Sequence, residues 1–422
     1  MNRRNFMTQL GRGFLAGSVG EASGLLTRAL SAAELAAGKA GSELMMLILC
    51  AHTLPPKQDF SPETVKGWIR LAGELGVNTI VWRGSYVGKA TYHSKVLPMM
   101  KPLEIGFFKK QGLRGKSWEA TRDEFNHRAD QIKSFDTLDV AVAEAKRIGL
   151  KIYGHLGLFD MYFPGLENNF FDEHPQYWLL ARDQKTSYRG IPCYAEQATQ
   201  DYRLAEIQEL LDRGVDGISY DLESHDNDGG GLGPNEFGFN PPVVEAFQKQ
   251  YGVNILKEPF DPAKLHQLNG EFFTGFLRRI REALGTKRKL AAGTTVDGYC
   301  GYGGAGGRQI GARFVAGGPV QLTPSFRFNL EWQKWIEEGI ADDLLVNAPI
   351  PHAVEETQRA IKSKLAKGRV FLWRETDEPE RYDHYRRELA AIRGGALDGY
   401  GIDELANYLP PDSRYRKLLI PH

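Results

Sequence analysis

The stretch GVDGISYDLESHDNDGG, residues 214–230, decides the fold class of this chain. The stretch begins with a glycine, which a β-prone, mostly apolar run follows. It then carries Asp221, Glu223 and His225 and ends in a glycine-rich segment. Because side chains alternate along a strand, Ser219, Asp221 and Glu223 share one face and the apolar residues between them share the other. This pattern is typical of a barrel strand, with helices covering its apolar face and polar groups gathered at the barrel mouth.

The same unit of apolar strand, loop and amphipathic helix recurs from residue 43 onward. The eight predicted strands are LMMLILCAH (44–52), VNTIVWRGS (77–85), LKIYGHLGLF (150–159), VDGISYDLE (215–223), KLAAGTTVDG (289–298), DDLLVNAP (342–349), RVFLWRET (369–376) and LDGYGIDEL (397–405). The helical segments between them follow the 3.6-residue period, and in the first of them Ser61 is the predicted N-cap, Pro62 follows it and Gly76 ends the helix. We therefore predict an α/β fold, a (β/α)8 TIM barrel. An open doubly wound sheet is disfavoured, because CAHTLPP at the end of the first strand lacks the glycine-rich phosphate turn. In the barrel, only SRYRKLLI can supply the last helix.

Three predicted loops are long: residues 86–136, 160–198 and 224–271, after the second, third and fourth strands. In a barrel these loops lie at the carboxyl-terminal face of the strands, where binding and catalytic groups collect. They are rich in aromatic residues, which serve both to cover apolar surface and to stack on sugars.

Charge and cysteine content narrow the function classes. The formal net charge is zero and no segment forms a basic block, so we expect no nucleic-acid partner. The three cysteines, Cys50, Cys193 and Cys300, are widely spaced and suit neither a disulfide framework nor a zinc site. We predict no cofactor and no metal; the oligomeric state is left open.

The first 40 residues differ in character from the rest. They hold Arg3 and Arg4, then Phe6, a Gly/Ala-rich run and small residues, a pattern that resembles a twin-arginine export signal. The segment is too short and too broken by charge to predict stable membrane insertion. We expect residues 1–40 to be a signal or flexible arm, residues 41–422 to be one catalytic barrel, and the protein to be periplasmic or extracellular.

Carboxylates at several strand ends suggest acid–base chemistry. Glycoside hydrolysis needs two carboxyl groups facing each other across a bond, one to protonate the leaving oxygen and one to act as nucleophile or base. We predict Asp221, Glu223 and Glu375 as the catalytic residues. The predicted substrate-binding residues, taken from positions at or near the strand ends, are Trp82, Arg83, His155, Tyr220, His225, Asp297, Asn347, Trp373, Arg374 and Glu404.

A family resemblance supports this interpretation. The run AEQATQDYRLAEIQELLDRGVDGISYDLESH (195–225), followed by FGFNPPVVEAFQKQYGVNI (237–255), resembles the glycosyl-hydrolase-like barrels called family-10-like. The resemblance implies a (β/α)8 fold, a carbohydrate substrate and export. The fourth strand also resembles that of α-amylase-type barrels, with Gly217, Asp221 and His225 in matching places but Ser219 where that family has arginine.

Retaining glycosidase barrels offer a third similarity. They carry an acid/base Glu after Asn on the fourth strand and a nucleophilic Glu on the seventh. Glu375 matches the second place, while Leu222 stands where the Asn would precede Glu223.

Two alternatives to a glycosidase remain open. The mismatches on the fourth strand are compatible with a catalytically silent carbohydrate-binding barrel. A metal-dependent barrel hydrolase would use His52, His155, His225 and Asp221, although no H-x-H follows the first strand and no lysine is placed to bridge metals.

Overall fold

The computed structural model describes residues 42–49, 60–102, 118–162, 169–223, 236–302, 326–348, 352–375, 381–403 and 405–419. Within these ranges eight strands close into a barrel in the order β1-β14-β13-β12-β9-β8-β5-β2, and every neighbouring pair is parallel. The predicted (β/α)8 barrel is confirmed, and each of the eight predicted strands overlaps one barrel strand. The predicted arm, residues 1–40, lies outside the described residues.

The strands and α-helices are numbered in the order in which they occur along the chain. The barrel strands are β1 (Glu43–Leu49), β2 (Thr79–Arg83), β5 (Lys151–Leu156), β8 (Gly217–Tyr220), β9 (Lys289–Thr295), β12 (Asp343–Asn347), β13 (Arg369–Glu375) and β14 (Gly399–Asp403). Short strands outside the barrel are β3 (Ser85–Tyr86), β4 (Lys89–Ala90), β6 (Trp178–Leu180), β7 (Ser187–Pro192), β10 (Tyr299–Tyr302) and β11 (Phe326–Asn329). The α-helices are α1 (Pro62–Glu74), α2 (Trp118–Ile132), α3 (Thr137–Ile148), α4 (Asn169–Glu173), α5 (Gln197–Asp212), α6 (Pro241–Tyr251), α7 (Pro262–Leu284), α8 (Trp332–Glu337), α9 (Ala353–Ala360), α10 (Tyr382–Arg393) and α11 (Arg414–Leu419).

The helix-end signals act as predicted in α1. The Ser61 side chain accepts a hydrogen bond from the Thr64 amide, and Pro62 is the first helical residue. Gly76 follows with φ +82°, a conformation that costs glycine little and other residues more. The helix therefore begins and ends at the residues that its sequence specifies.

Alternation along the strands separates two apolar layers. Residues of one parity pack outward against the helices, as Leu44, Met46 and Ile48 do on β1. Residues of the other parity fill the barrel interior: Met45, Leu47, Leu49, Val81, Tyr153, Ala291, Leu345, Phe371 and Trp373. The interior is thus a packed core, and polar groups meet above it.

Glycines on β14 make room for the largest interior rings. A Cβ added to Gly399 would collide with the Phe371 ring, and one added to Gly401 would collide with the Trp373 ring. The rings of β13 therefore occupy the space that β14 side chains would otherwise fill.

The long predicted loops contain secondary structure that the sequence pattern did not reveal. The β3–β4 hairpin and α2 lie in the first, and α4 and the β6–β7 hairpin lie in the second. In the third, α6 forms and α7 already begins at Pro262, because Asp261 caps it by accepting from the Ala263 amide. Among the described residues, no helix is both long and apolar enough to span a membrane.

Packing at Gly401 gives a stability test. We expect Gly401→Ala to destabilise the protein by about 1–3 kcal/mol, because a Cβ there overlaps the Trp373 ring in a filled core. Gly67→Ala is the matched control: Gly67 lies in α1, and an added Cβ meets nothing within 4 Å. The control should stabilise by up to about 1 kcal/mol through helix propensity. Urea unfolding measures both; equal stabilities would refute this packing.

Candidate active site

Three carboxylates meet at the carboxyl-terminal rim of the barrel. Asp221 and Glu223 directly follow β8, and Asp403 is the last residue of β14. β8 and β14 are four places apart in the ring of eight strands, so Asp221 and Asp403 come from opposite sides of the barrel. One carboxylate oxygen from each of the three residues lies within 4.8 Å of the other two. All three are buried, with relative exposures of 3%, 9% and 8% for Asp221, Glu223 and Asp403.

Arg83, at the end of β2, binds two acids of this rim. Its Nη1 donates to Glu223 Oε2 at 2.8 Å, and its Nη2 donates to Asp160 Oδ2 at 2.8 Å. Burial opposes the charged guanidinium, but the attraction of Glu223, Asp221 and Asp160 outweighs it and raises the pKa of Arg83 above its ordinary value. Arg83 is therefore a fixed positive charge among the carboxylates.

His155, on β5, contacts both Asp221 and Ser219 of the neighbouring strand β8. Its Nδ1 lies 3.0 Å from Ser219 Oγ, and its Nε2 lies 3.3 Å from Asp221 Oδ2. The other oxygen of Asp221 accepts the backbone N–H of Glu223 at 3.0 Å. These contacts orient Asp221 from two sides.

Several other predicted residues lie at or below the same rim. Trp373 belongs to the barrel interior beneath the carboxylates. Asn347 ends β12 and Asp297 lies in the turn after β9, and both are partly exposed. Glu375 pairs with Asp403 in the β13–β14 ladder, which places its backbone at the mouth; its side chain, like His225 and Glu404, lies outside the described part of the chain.

Three predicted substrate contacts require correction: Trp82, Tyr220 and Arg374. All three have the outward parity of their strands. Trp82 and Tyr220 are fully buried in the layer between barrel and helices, where Tyr220 meets the ring of Phe273 of α7 edge-on at 5.8 Å. Arg374 donates to Glu388 of α10 at 2.9 Å. Their side chains stabilise the helix layer and do not reach the mouth.

The sequence interpretation did not include Asp160 and Asp403, which the structure places among the acids of the rim. Asp403 could have been found by alternation, since Gly399, Gly401 and Asp403 share the inward face of β14. Asp160 follows β5 in a loop, where no period applies. Arg83 Nη2 donates to its carboxylate at 2.8 Å across 77 residues of sequence.

Comparison with known proteins finds no matching family model and no matching curated protein. Solved structures do match. The catalytic domain of a beta-amylase from Paenibacillus polymyxa is 9% identical with a TM-score of 0.48, covering 90% of this chain and 98% of its own. A beta-galactosidase from Marinomonas ef1 is 10% identical with a TM-score of 0.47, covering 85% of this chain. A GH20 exo beta-N-acetylglucosaminidase from Vibrio harveyi is 11% identical with a TM-score of 0.42, covering 90% of this chain. This chain spans about half the length of the second and third of these. The barrel is established by this chain's own strand order.

Removing Arg83 tests the charge balance of the rim. We expect Arg83→Met to lower the free energy of unfolding by about 3–5 kcal/mol, because it leaves buried carboxylates without their cation. Arg278→Met is the control, since Arg278 and Glu338 form an exposed pair, each 41% exposed, and such pairs contribute about 0–1 kcal/mol. Denaturant unfolding at neutral pH measures both. Similar losses in the two variants would show that Arg83 does not neutralise the rim.

Proposed function

We propose that this protein is a glycoside hydrolase that acts at the carboxyl-terminal rim of its barrel. The observation that supports this most directly is the convergence of Asp221 and Asp403 from opposite strands, with carboxylate oxygens within 4.8 Å. Cleavage of a glycosidic bond requires two such carboxyl groups and no cofactor. The substrate class is therefore carbohydrate.

Asp221 is the proposed nucleophile. A nucleophilic carboxylate must stay ionised and hold a fixed direction toward the anomeric carbon. Asp221 accepts the backbone N–H of Glu223 at 3.0 Å, and its other oxygen lies 3.3 Å from His155 Nε2, so both oxygens are held in a fixed direction. Glu223 is ion-paired with Arg83. Its proposed role is to accept a hydrogen bond from a substrate hydroxyl rather than to transfer a proton.

Asp403 is the proposed general acid. Glu375, whose backbone lies beside Asp403 in the ladder, stays a predicted catalytic residue from the sequence. In the first step Asp221 forms a bond to the anomeric carbon while the C–O bond to the leaving group breaks and the acid gives its proton to the leaving oxygen. In the second step the general acid, now a carboxylate, removes a proton from a water molecule. The water oxygen then displaces Asp221 from the anomeric carbon, which frees the sugar.

The spacing favours retention of configuration. Retaining enzymes place their carboxyl groups about 5–5.5 Å apart, whereas inverting enzymes need about 6.5–9.5 Å to fit a water. One oxygen of Asp221 and one of Asp403 lie within 4.8 Å of each other, which is nearer to the shorter separation than to the longer one.

The remaining assignments extend this proposal to substrate binding and location. His155, Asn347, Asp297 and Trp373 are proposed to shape or contact the sugar subsite, together with His225 and Glu404. Membership of the family-10-like group and twin-arginine export to the periplasm or exterior are proposed from the sequence patterns described above.

Variants of the two facing acids test the mechanism. We expect Asp221→Asn and Asp403→Asn each to reduce turnover about 10²–10⁴-fold, because each removes a proton-transfer or nucleophilic group. Asp216→Asn is the control: Asp216 precedes the same strand at the opposite end of the barrel and accepts the Ile152 amide. Release of reducing sugar from a panel of oligosaccharides is the measurement.

Two outcomes would contradict the mechanism. Near-normal turnover in both acid variants would exclude the assigned roles. Saturable sugar binding with no product from the unaltered protein would favour the carbohydrate-binding barrel instead.

A metal-dependent hydrolase is the second candidate. Three buried carboxylate oxygens within 4.8 Å of one another, with His155 Nε2 beside them, match the oxygen-rich donor sets of hard divalent cations. Elemental analysis of the purified protein and assay after chelation separate the candidates. The glycosidase proposal predicts no stoichiometric metal and full activity after chelation. One bound ion per chain, with activity lost on chelation and restored by metal, would favour the second candidate.

A further inference from the structure

A buried ion pair lies on α5, behind the rim. Arg203 Nη1 is 2.6 Å from Glu206 Oε2, and each residue is 1% exposed. Withdrawing both charges from water costs several kcal/mol per ion, and apolar residues of similar size often stabilise a protein as well or better. Stability alone is therefore a weak explanation for charges at these two positions.

The pair contacts two segments that follow barrel strands. Ser85 Oγ, after β2, donates to Glu206 Oε1 at 3.2 Å. Arg203 donates to the Gly157 carbonyl at 3.4 Å and to Met161 Sδ at 3.1 Å, both after β5. One helix thus holds the chain beyond two neighbouring strands through a single charged unit.

Each segment lies next to, or contains, one residue of the ion pairs at the rim. Ser85 lies two residues beyond Arg83, and Asp160 lies between Gly157 and Met161. Gly157 packs directly against the ion pair of Arg83 and Asp160, since a Cβ added to Gly157 would lie 3.2 Å from Arg83 Nη2 and 3.4 Å from the Asp160 Cβ. A shift of either segment therefore moves Arg83, which binds Glu223, or Asp160, which binds Arg83.

We propose that Arg203 and Glu206 are positioning residues that hold Arg83 and Asp160, and through Arg83 also Glu223, in the geometry of the rim. They touch no reacting atom; they act through the segments after β2 and β5. The catalytic consequence rests on the proposed glycosidase function, whereas the positioning of Arg83 does not.

The test variant is the double substitution Arg203→Met with Glu206→Leu, which replaces the pair by apolar side chains of similar length. Side-chain ¹⁵N NMR of Arg83, assigned by loss of its signals in Arg83→Lys, reports how firmly the guanidinium is held. We expect the guanidinium protons to exchange with water at least about tenfold faster in the double variant, because opening the rim becomes easier. We expect kcat to fall about 10–100-fold, the size of effect found when residues that orient metal ligands are removed, with a much smaller change in KM.

Gln208→Ala is the matched control. Gln208 lies on the exposed side of the same helix and bonds Asp212 at 2.7 Å, so Arg83 exchange and kcat should stay at the values of the unaltered protein. Ser85→Ala is the milder second variant; it removes only the hydrogen bond to Glu206 and should accelerate Arg83 exchange in the same direction, which decides the matter if the double variant does not fold.

The outcomes are distinct. Faster Arg83 exchange with a fall in kcat supports the inference and its catalytic consequence. Faster exchange in a protein that cleaves no glycoside supports the positioning and removes the proposed function. Unchanged Arg83 exchange in folded variants overturns the inference and leaves the pair a structural element.

Discussion

Concentrated negative charge at a buried rim is the constraint on which the site depends. Asp160, Asp221, Glu223 and Asp403 are all less than a tenth exposed, and Arg83 is the cation that bonds two of them. Like charges at this separation raise one another's free energy, and burial weakens the screening that water would supply. The guanidinium, held between acids from separate segments, offsets this repulsion, so every element that fixes Arg83 also fixes the site.

The two ends of the barrel show how position determines the role of an acid. At the amino-terminal end Asp343 begins β12, is fully buried and is bound by Arg369 through two 2.7 Å hydrogen bonds. Burial raises the pKa of Asp343 while Arg369 opposes this, and the packed interior separates it from the mouth. The pair stabilises the closed end. At the other end the buried acids come from several strands and lie at the carboxyl-terminal rim, which is where barrels carry out chemistry.

The alternation rule predicted much of the fold and part of the site. The apolar runs between glycine-ended helices were sufficient for all eight strands, and the parity of β8 correctly placed Asp221 and Glu223 together. The same parity places Tyr220 against α7 and Arg374 against α10, so applying the rule to every strand would have excluded both and added Asp403. Asp160 and the hairpins beyond β2 and β5 could not be predicted, because their positions depend on contacts between distant segments, such as Arg203 with Gly157, that leave no period in the sequence.

The stereochemical outcome of hydrolysis tests the account most directly, because it depends on the distance between the facing carboxylates. The measurement is ¹H NMR of the anomeric proton of the first sugar released from a cleaved glycoside, recorded before mutarotation. Carboxylate oxygens within 4.8 Å predict a product with the configuration of the substrate. An inverted product would require room for a water between the two acids, and it would contradict the assignment of Asp221 and Asp403 as the reacting pair.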